Sequence, residues 1–269
     1  MTALTTPPAA PARAAVAYRL TFGRTLRSEV IKLLTLRSTW WALGVAVGLS
    51  VALPVIVVLS SIGSDMPPSG YSLVNMGLVF VHLVLPIFGV LTITGEFSTG
   101  SIRSTLTAQP SRAMVVGAKV TVLAGAATVV SVLTYALGLG VTLPFSDGLD
   151  WSTPEISTAP LCAGVLSTVV FALLGFGLGL IIRNTGGAIS ATMAVLYVLP
   201  AALNVVWALM SGGDPSSGVF NFADLLPTQA GSLLADPSKY APLGPLLVLG
   251  AWAIVPALVG GALLRRRDG

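Results

Sequence analysis

The sequence contains very little charge. Asp, Glu, Lys and Arg make up 9% of its 269 residues, and 54% of the residues are hydrophobic, whereas a soluble domain carries about 25% charged residues. A chain of this composition cannot cover its surface with groups that water solvates, so we expect it to lie in a lipid bilayer. The few cations adjoin the apolar runs, which favours a role in membrane topology and argues against a nucleic-acid partner.

Residues that carry most enzyme chemistry are also scarce. The single cysteine, Cys162, lies in an apolar run, and one cysteine with one histidine forms neither an intrachain disulfide nor a metal site. The sequence has no Gly-rich phosphate-binding loop, no HExxH and no GxSxG. We therefore predict that the chain is not an enzyme, holds no cofactor or metal, and cannot hydrolyse ATP alone.

Long apolar segments, in contrast, are abundant. Six of them have about the 20 residues that a 30 Å hydrocarbon core requires. They predict an all-α membrane protein with six transmembrane helices, forming one transmembrane domain over residues 16–269 after a disordered tail at residues 1–15. The spans are predicted at roughly residues 39–62, 71–95, 114–143, 158–182, 186–210 and 244–264.

The basic residues predict the orientation. With the N-terminus inside, thirteen of the fourteen Lys and Arg residues fall in inner segments, and only Lys239 falls outside. Positive charge in short loops sets topology, whereas acidic residues contribute little. We therefore expect both termini to be cytoplasmic.

Two further segments have membrane character without being spans. Residues 18–38 predict an amphipathic N-terminal helix on the membrane surface, with Lys32 on its polar side and Phe22, Leu26, Val30 and Leu33 on its apolar side; the alternative is a charged extension of span one. The outer segment 211–243 is too apolar for a solvated loop. We expect it to form a pair of short re-entrant helices, broken at Pro227, before span six.

The polar stretch Gly95–Lys119 lies between spans two and three and carries mixed charge. Glu96 stands at the cytoplasmic mouth of span two and could pair with Arg103, with Lys119 or with another span. Two interpretations remain open: a latch at the inner gate, formed with Lys119 and with Arg183 of the hairpin between spans four and five, or an interfacial charge with a structural partner.

Polar groups inside the spans are few. Asn75, His82 and Asn204 are candidate pathway residues. Ion-coupled carriers usually keep ionisable groups near the midplane, so the near absence of such groups argues against one. An ATP-independent membrane enzyme that uses His82 with a serine from another span stays an alternative.

Three segments, LGLIIRNTGGAIS, LLPTQAGSLL and GEFSTGSIRSTLTAQPSRAMVVGAK, carry a pattern that resembles ABC-2-type transporter permeases. LGLIIRNTGGAIS lies between spans four and five, and LLPTQAGSLL lies before span six. Ser101 stands where threonine is usual in the family. The stretch GEFSTGSIRSTLTAQPSRAMVVGAK matches the family pattern at Glu96, Gly100, Ile102, Arg103, Leu106, Pro110, Ser111, Arg112 and Lys119.

The resemblance implies the membrane subunit of an ATP-driven exporter in the bacterial cytoplasmic membrane, moving a hydrophobic or amphipathic substrate. It implies a second permease, identical or similar, and two copies of a separate cytoplasmic ATPase that holds the ATP and Mg. It further implies that the loop between spans two and three contains a coupling helix that contacts the ATPase. The coupling residues would be Gly100, Ser101, Ile102, Arg103, Leu106, Pro110 and Arg112.

Overall fold

A computed structural model describes residues 21–61, 73, 76–101, 111–145, 154–212, 220–235 and 242–267. These residues are helical almost throughout and include no β-strand. Six of the helices are long and apolar enough to cross a membrane, which confirms the prediction of an all-α, multi-pass membrane protein. The predicted tail at residues 1–15 lies outside the described residues, as do Asn75, Ile102, Arg103, Leu106 and Pro110.

The helices begin and end within a few residues of the predicted boundaries, except in the second span, which is predicted at residues 71–95 and is the helix Val79–Thr99. In chain order they are α1 Phe22–Thr35, α2 Arg37–Ser61, α3 Val79–Thr99, α4 Arg112–Thr142, α5 Pro154–Ile182, α6 Thr185–Met193, α7 Leu199–Ser211, α8 Pro227–Ala235 and α9 Leu243–Arg267. A π-helical segment, Ala194–Val198, joins α6 to α7 into the fifth span. The predicted N-terminal helix therefore ends at Thr35, and Leu36 separates it from span one.

Helix α5 forms the centre of the bundle. It is the most buried of the six spans, and it packs against α3, α4, α8 and α9. A side chain on Gly175 would collide with the backbone of Pro86 in α3, and one on Gly177 would collide with Pro256 in α9. Because small residues let helix backbones approach closely, α3, α5 and α9 form one tightly packed unit.

Prolines inside the spans change the backbone hydrogen bonding. Pro86 has no N–H to donate to the carbonyl of His82, and the Tyr197 hydroxyl donates to that oxygen instead, at 3.0 Å. Tyr197 lies in the π-helical segment Ala194–Val198, and Pro200 follows it three residues later. One hydrogen bond thus joins the proline position of the second span to the π-helical segment of the fifth.

The basic side chains meet at one end of the bundle. Arg112, the first residue of α4, donates to the carbonyl of Leu264 near the end of α9, at 2.6 Å. The guanidinium of Arg183, which follows α5, lies 5.1 Å from the ring centroid of Phe97 near the end of α3. Helix α1 packs on α4. Parts of the chain predicted to be cytoplasmic therefore lie together, while the side of the membrane stays a prediction.

The segment before α9 reaches into the bundle. It contains a 3₁₀ turn, Phe222–Leu225, and helix α8, Pro227–Ala235. Helix α8 packs on α5, where a side chain on Gly231 would collide with the Ser167 hydroxyl. Since Ser167 lies near the middle of the fourth span, α8 reaches well past the end of that span. This geometry fits a re-entrant element.

Candidate functional site

Four charged side chains form a closed network at the basic end of the bundle. We call Glu29, Lys32, Glu96 and Lys119 the charge cluster. Lys119 Nζ lies 2.8 Å from Glu29 Oε2 and 2.6 Å from Glu96 Oε1. Lys32 Nζ lies 2.8 Å from Glu29 Oε1 and 3.0 Å from Glu96 Oε1. The cluster therefore ties α1 to the end of α3 and the start of α4.

The two lysines differ in how far their side chains are buried. The Lys119 side chain is 4% exposed, while that of Lys32 is 46% exposed. Ion pairs that water reaches contribute little to stability, whereas a buried charge that loses its partner is strongly destabilising. Lys119 is therefore the fixed centre of the charge cluster, and Lys32 is an exchangeable member at its edge.

The two residues of α1 in the charge cluster have shifted pKa values. Burial alone would raise the pKa of the Glu29 carboxyl, but the Lys119 ammonium and the hydrogen bonds from both lysines hold it below its usual 4.5. Burial alone would lower the pKa of the Lys32 amine, but the hydrogen bonds to Glu29 and Glu96 raise it above its usual 10.5. Both groups are therefore charged near neutral pH.

A cavity of about 580 Å³ adjoins the charge cluster. All four cluster residues line it. The rest of the lining is mixed, with apolar side chains such as Leu33, Phe88 and Leu123 and the hydroxyl-bearing side chains of Thr35, Thr92, Thr99 and Ser101. Both lysines bond to Oε1 of Glu96, while the buried Oε2 accepts no hydrogen bond from the residues that the structure describes. Glu96 therefore borders the cavity, but its Oε2 is shielded from it.

The three predicted inner-gate residues converge on the end of α3. Glu96 and Lys119 are in direct contact, and Arg183 lies over Phe97, the residue after Glu96. Arg183 has a φ of 58° at the tight turn, and Asn184 then caps α6 by accepting from the N–H of Gly187 at 2.8 Å. The turn therefore holds the arginine against α3.

The described part of the predicted coupling segment shows how α3 ends. Gly100 has a φ of 72° and its N–H bonds to the carbonyl of Phe97, a left-handed cap that favours glycine. The hydroxyls of Thr99 and Ser101 are 3.0 Å apart. At the other end of the loop, Arg112 binds the Leu264 carbonyl, so this predicted ATPase contact already holds α9.

The candidate pathway residues inside the spans lie in separate contacts. His82 Nε2 lies 2.9 Å from Thr168 Oγ1 of α5. Asn204 accepts a hydrogen bond from the Asn221 amide at 2.9 Å, which ties α7 to the segment before α8. These contacts hold helices together, and none of them joins His82 to Asn204 among the described residues.

Within the described part of the chain, the hydroxyl beside His82 is not an activated nucleophile. Its polar neighbour Thr168 is fully buried, and the Thr168 hydroxyl donates to the Gly164 carbonyl at 2.7 Å. An activated hydroxyl would instead donate to the imidazole. The geometry thus offers no support for the membrane-enzyme alternative. Among the described residues, no group of His, Cys, Asp and Glu could hold a metal ion.

Glu29, which pairs with Lys119 at the core of the charge cluster, is not among the residues predicted from the sequence. A signal was present: in the segments predicted to be cytoplasmic, Glu29 and Glu96 are the only acids before the C-terminal Asp268. An isolated acid among many cations suggests a specific partner. Its partner, Lys119, is 90 residues away in the chain, a distance over which helical periodicity carries no information.

Comparisons with known proteins do not extend this description. No protein-family model matches the chain, and no curated protein matches it significantly. The resemblance to ABC-2-type permeases therefore rests on the three sequence segments given above. The geometry around the charge cluster has to be interpreted on its own chemistry.

Proposed function

We propose that the chain is the membrane subunit of an ATP-driven exporter of the ABC-2 type, which takes its energy from a separate cytoplasmic ATPase. One observation carries the proposal: the charge cluster fastens α1 to both helices that flank the 100–111 loop. Glu96 lies four residues before Gly100, and Lys119 lies eight residues after Ser111. A force applied to the loop would reach both helices and α1 together.

The packing supports this mechanical interpretation. Helices α3 and α5 approach each other backbone to backbone, and α5 does the same with α9. Movement of α3 would therefore carry a large part of the bundle, since packed helices shift as units and do not deform continuously. Alternating access needs such coordinated movement.

Two features support the predicted orientation. The basic ends of α1, α4 and α9 lie together, as expected for segments on the cytoplasmic side. At the other end, α8 contacts the middle of α5, as expected for a re-entrant element that closes the outer side. Few residues of the fifth and sixth spans are fully buried, which leaves their outer sides available to lipid and to a second permease.

The ATPase contact is tested by charge reversal in the loop. Arg103→Glu should reduce the amount of ATPase that co-purifies with the tagged protein, while the thermal unfolding midpoint stays unchanged. Arg112→Glu is a matched charge reversal with a different expectation: it should lower the unfolding midpoint, because Arg112 holds the end of α9. Full ATPase recovery and normal transport with Arg103→Glu would count against the coupling role of the loop.

A further inference from the structure

An apolar groove of about 570 Å³ lies where α1, α2 and α4 meet. Along α4 its lining runs from Thr121 to Leu133, which at 1.5 Å per residue is about 18 Å. It begins two residues after Lys119 of the charge cluster, at the basic end of the bundle. One leaflet of a bilayer contributes about 15 Å of hydrocarbon, half of the 30 Å core. The groove therefore has about the length of one lipid acyl chain.

The polar groups in the lining already have partners. The Thr121 hydroxyl donates to the Gly117 carbonyl at 2.9 Å, and the Trp40 indole N–H donates to the Leu34 carbonyl at 2.9 Å. The other residues that line the groove are aliphatic or glycine. The groove therefore favours an aliphatic occupant, which asks for no hydrogen bond.

The groove is also narrow and open to its surroundings. Its volume over about 18 Å of length gives a cross-section of about 30 Å², whereas a helix with its side chains is about 10–12 Å across and occupies about 80–110 Å². A Cβ atom on Gly44 or Gly125 would meet no other atom within 4 Å, and Val129 is 66% exposed. The space thus fits a lipid chain better than a second protein helix.

Two exposed arginines lie at the edge of the groove. Arg27 precedes Val30 by one turn of α1, and Arg37 precedes Trp40 by one turn of α2; Val30 and Trp40 both line the groove. Residues three apart are neighbours on a helix surface. Neither arginine pairs with an acid among the described residues, and Glu29, the one acid of α1, is held by lysines. The edge of the groove is therefore cationic.

We propose that this groove binds one acyl chain of an anionic phospholipid, with the headgroup phosphate at Arg27 and Arg37. The guanidinium groups suit a phosphate, and in the predicted orientation they face the cytoplasmic leaflet, which carries anionic lipid. The chain would fill the space between α1 and the two spans and hold α1 on the bundle. This binding does not depend on the proposed function, because it requires neither an ATPase nor a cargo.

The test uses the purified full-length chain in phosphatidylcholine nanodiscs. The probe is a small fraction of phosphatidylglycerol with a photoreactive diazirine in one acyl chain, the control probe is phosphatidylcholine with the same chain, and labelled peptides are mapped by mass spectrometry. The anionic probe should label the groove-lining parts of α2 and α4 at least about tenfold more than the control, since each arginine favours an anionic lipid. Glycerol phosphate, which has the headgroup charge without the chains, should not compete.

Arginine variants test the headgroup contact. Arg27→Gln and Arg37→Gln should each reduce the excess of anionic labelling about fivefold. Arg266→Gln removes an exposed arginine at the end of α9, away from the groove, and should leave the excess unchanged. Equal labelling by the two probes in the unaltered chain, or an excess that survives both groove variants, would overturn the proposal.

Glycine variants test the chain contact. Gly125→Leu should abolish labelling of the groove by filling it, whereas Gly138→Leu in the same helix should not, because Gly138 has open space beside it but does not line the groove. Labelling that persists in Gly125→Leu would contradict the assignment. Absence of labelling in the unaltered chain, with crosslinks between two copies through Val129→Cys in a Cys162→Ser background, would overturn it and assign the groove to a second copy.

Discussion

Lys119 is the residue on which the charge cluster depends most directly. We predict that Lys119→Met destabilises the protein by about 3–5 kcal/mol, because it leaves Glu29 and Glu96 buried without their central cation. Lys32→Met removes a cation of equal charge from the exposed edge of the charge cluster and should cost less than about 1 kcal/mol. Thermal unfolding in detergent compares the two variants, and equal losses would refute the distinction between a fixed and an exchangeable lysine.

The pKa shifts in α1 predict a stability plateau across neutral pH. Glu29 has a folded-state pKa below its unfolded 4.5, so its contribution is present above pH 4.5 and is lost as the pH falls through the folded value. Lys32 has a folded-state pKa above 10.5, so its contribution is present below pH 10.5 and is lost as the pH rises further. The unfolding midpoint should thus be flat from about pH 5 to 10.

One variant tests why the unfolding midpoint falls at acidic pH. Glu29→Gln should lower the plateau and weaken the acid-side decline, since the group that titrates there is gone. The alkaline side should become shallower but persist, because Lys32 loses its bond to Glu29 and keeps the one to Glu96. An acid-side decline as steep as in the wild type would show that other carboxylates cause it.

Among the helices, the hydrogen bond between the second and fifth spans offers a clean double-mutant cycle. Tyr197→Phe should cost about 0.5–1.5 kcal/mol, because the carbonyl of His82 loses its donor. In the Pro86→Ala background residue 86 regains an N–H for that carbonyl, so the same Tyr197→Phe change should be nearly neutral. Chemical unfolding gives the four free energies, and identical costs in both backgrounds would contradict this explanation.

The elements differ in how well the sequence predicts them. The spans follow from apolar length, since the bilayer imposes it, and Thr39–Ser61 and Thr158–Ile182 lie within one residue of their predicted ranges. The apolar face of α1 is predicted from its periodicity. The burial of Glu29 in α1 is not predicted, because Glu29 is buried only through partners that other helices supply. The loop residues Arg103 and Leu106 lie outside the described chain and stay predictions.

For the molecule as a whole, the orientation is the next prediction to measure. In a Cys162→Ser background, Ser216→Cys should react with a membrane-impermeant maleimide in intact cells, and Ser98→Cys should react only after the membrane is opened. Ser98 is exposed near the end of α3, so access to its side chain does not limit the reaction. The opposite pattern would invert the topology and move the charge cluster to the outer side.

The proposed function requires that a separate ATPase drives this chain as a permease. The most direct test is to purify the tagged protein from its native membranes in mild detergent and to quantify what accompanies it. We predict a cytoplasmic ATPase in equal molar amount, and its loss in the Arg103→Glu variant. Reproducible recovery of the chain without an ATPase, also after crosslinking, would contradict the claim.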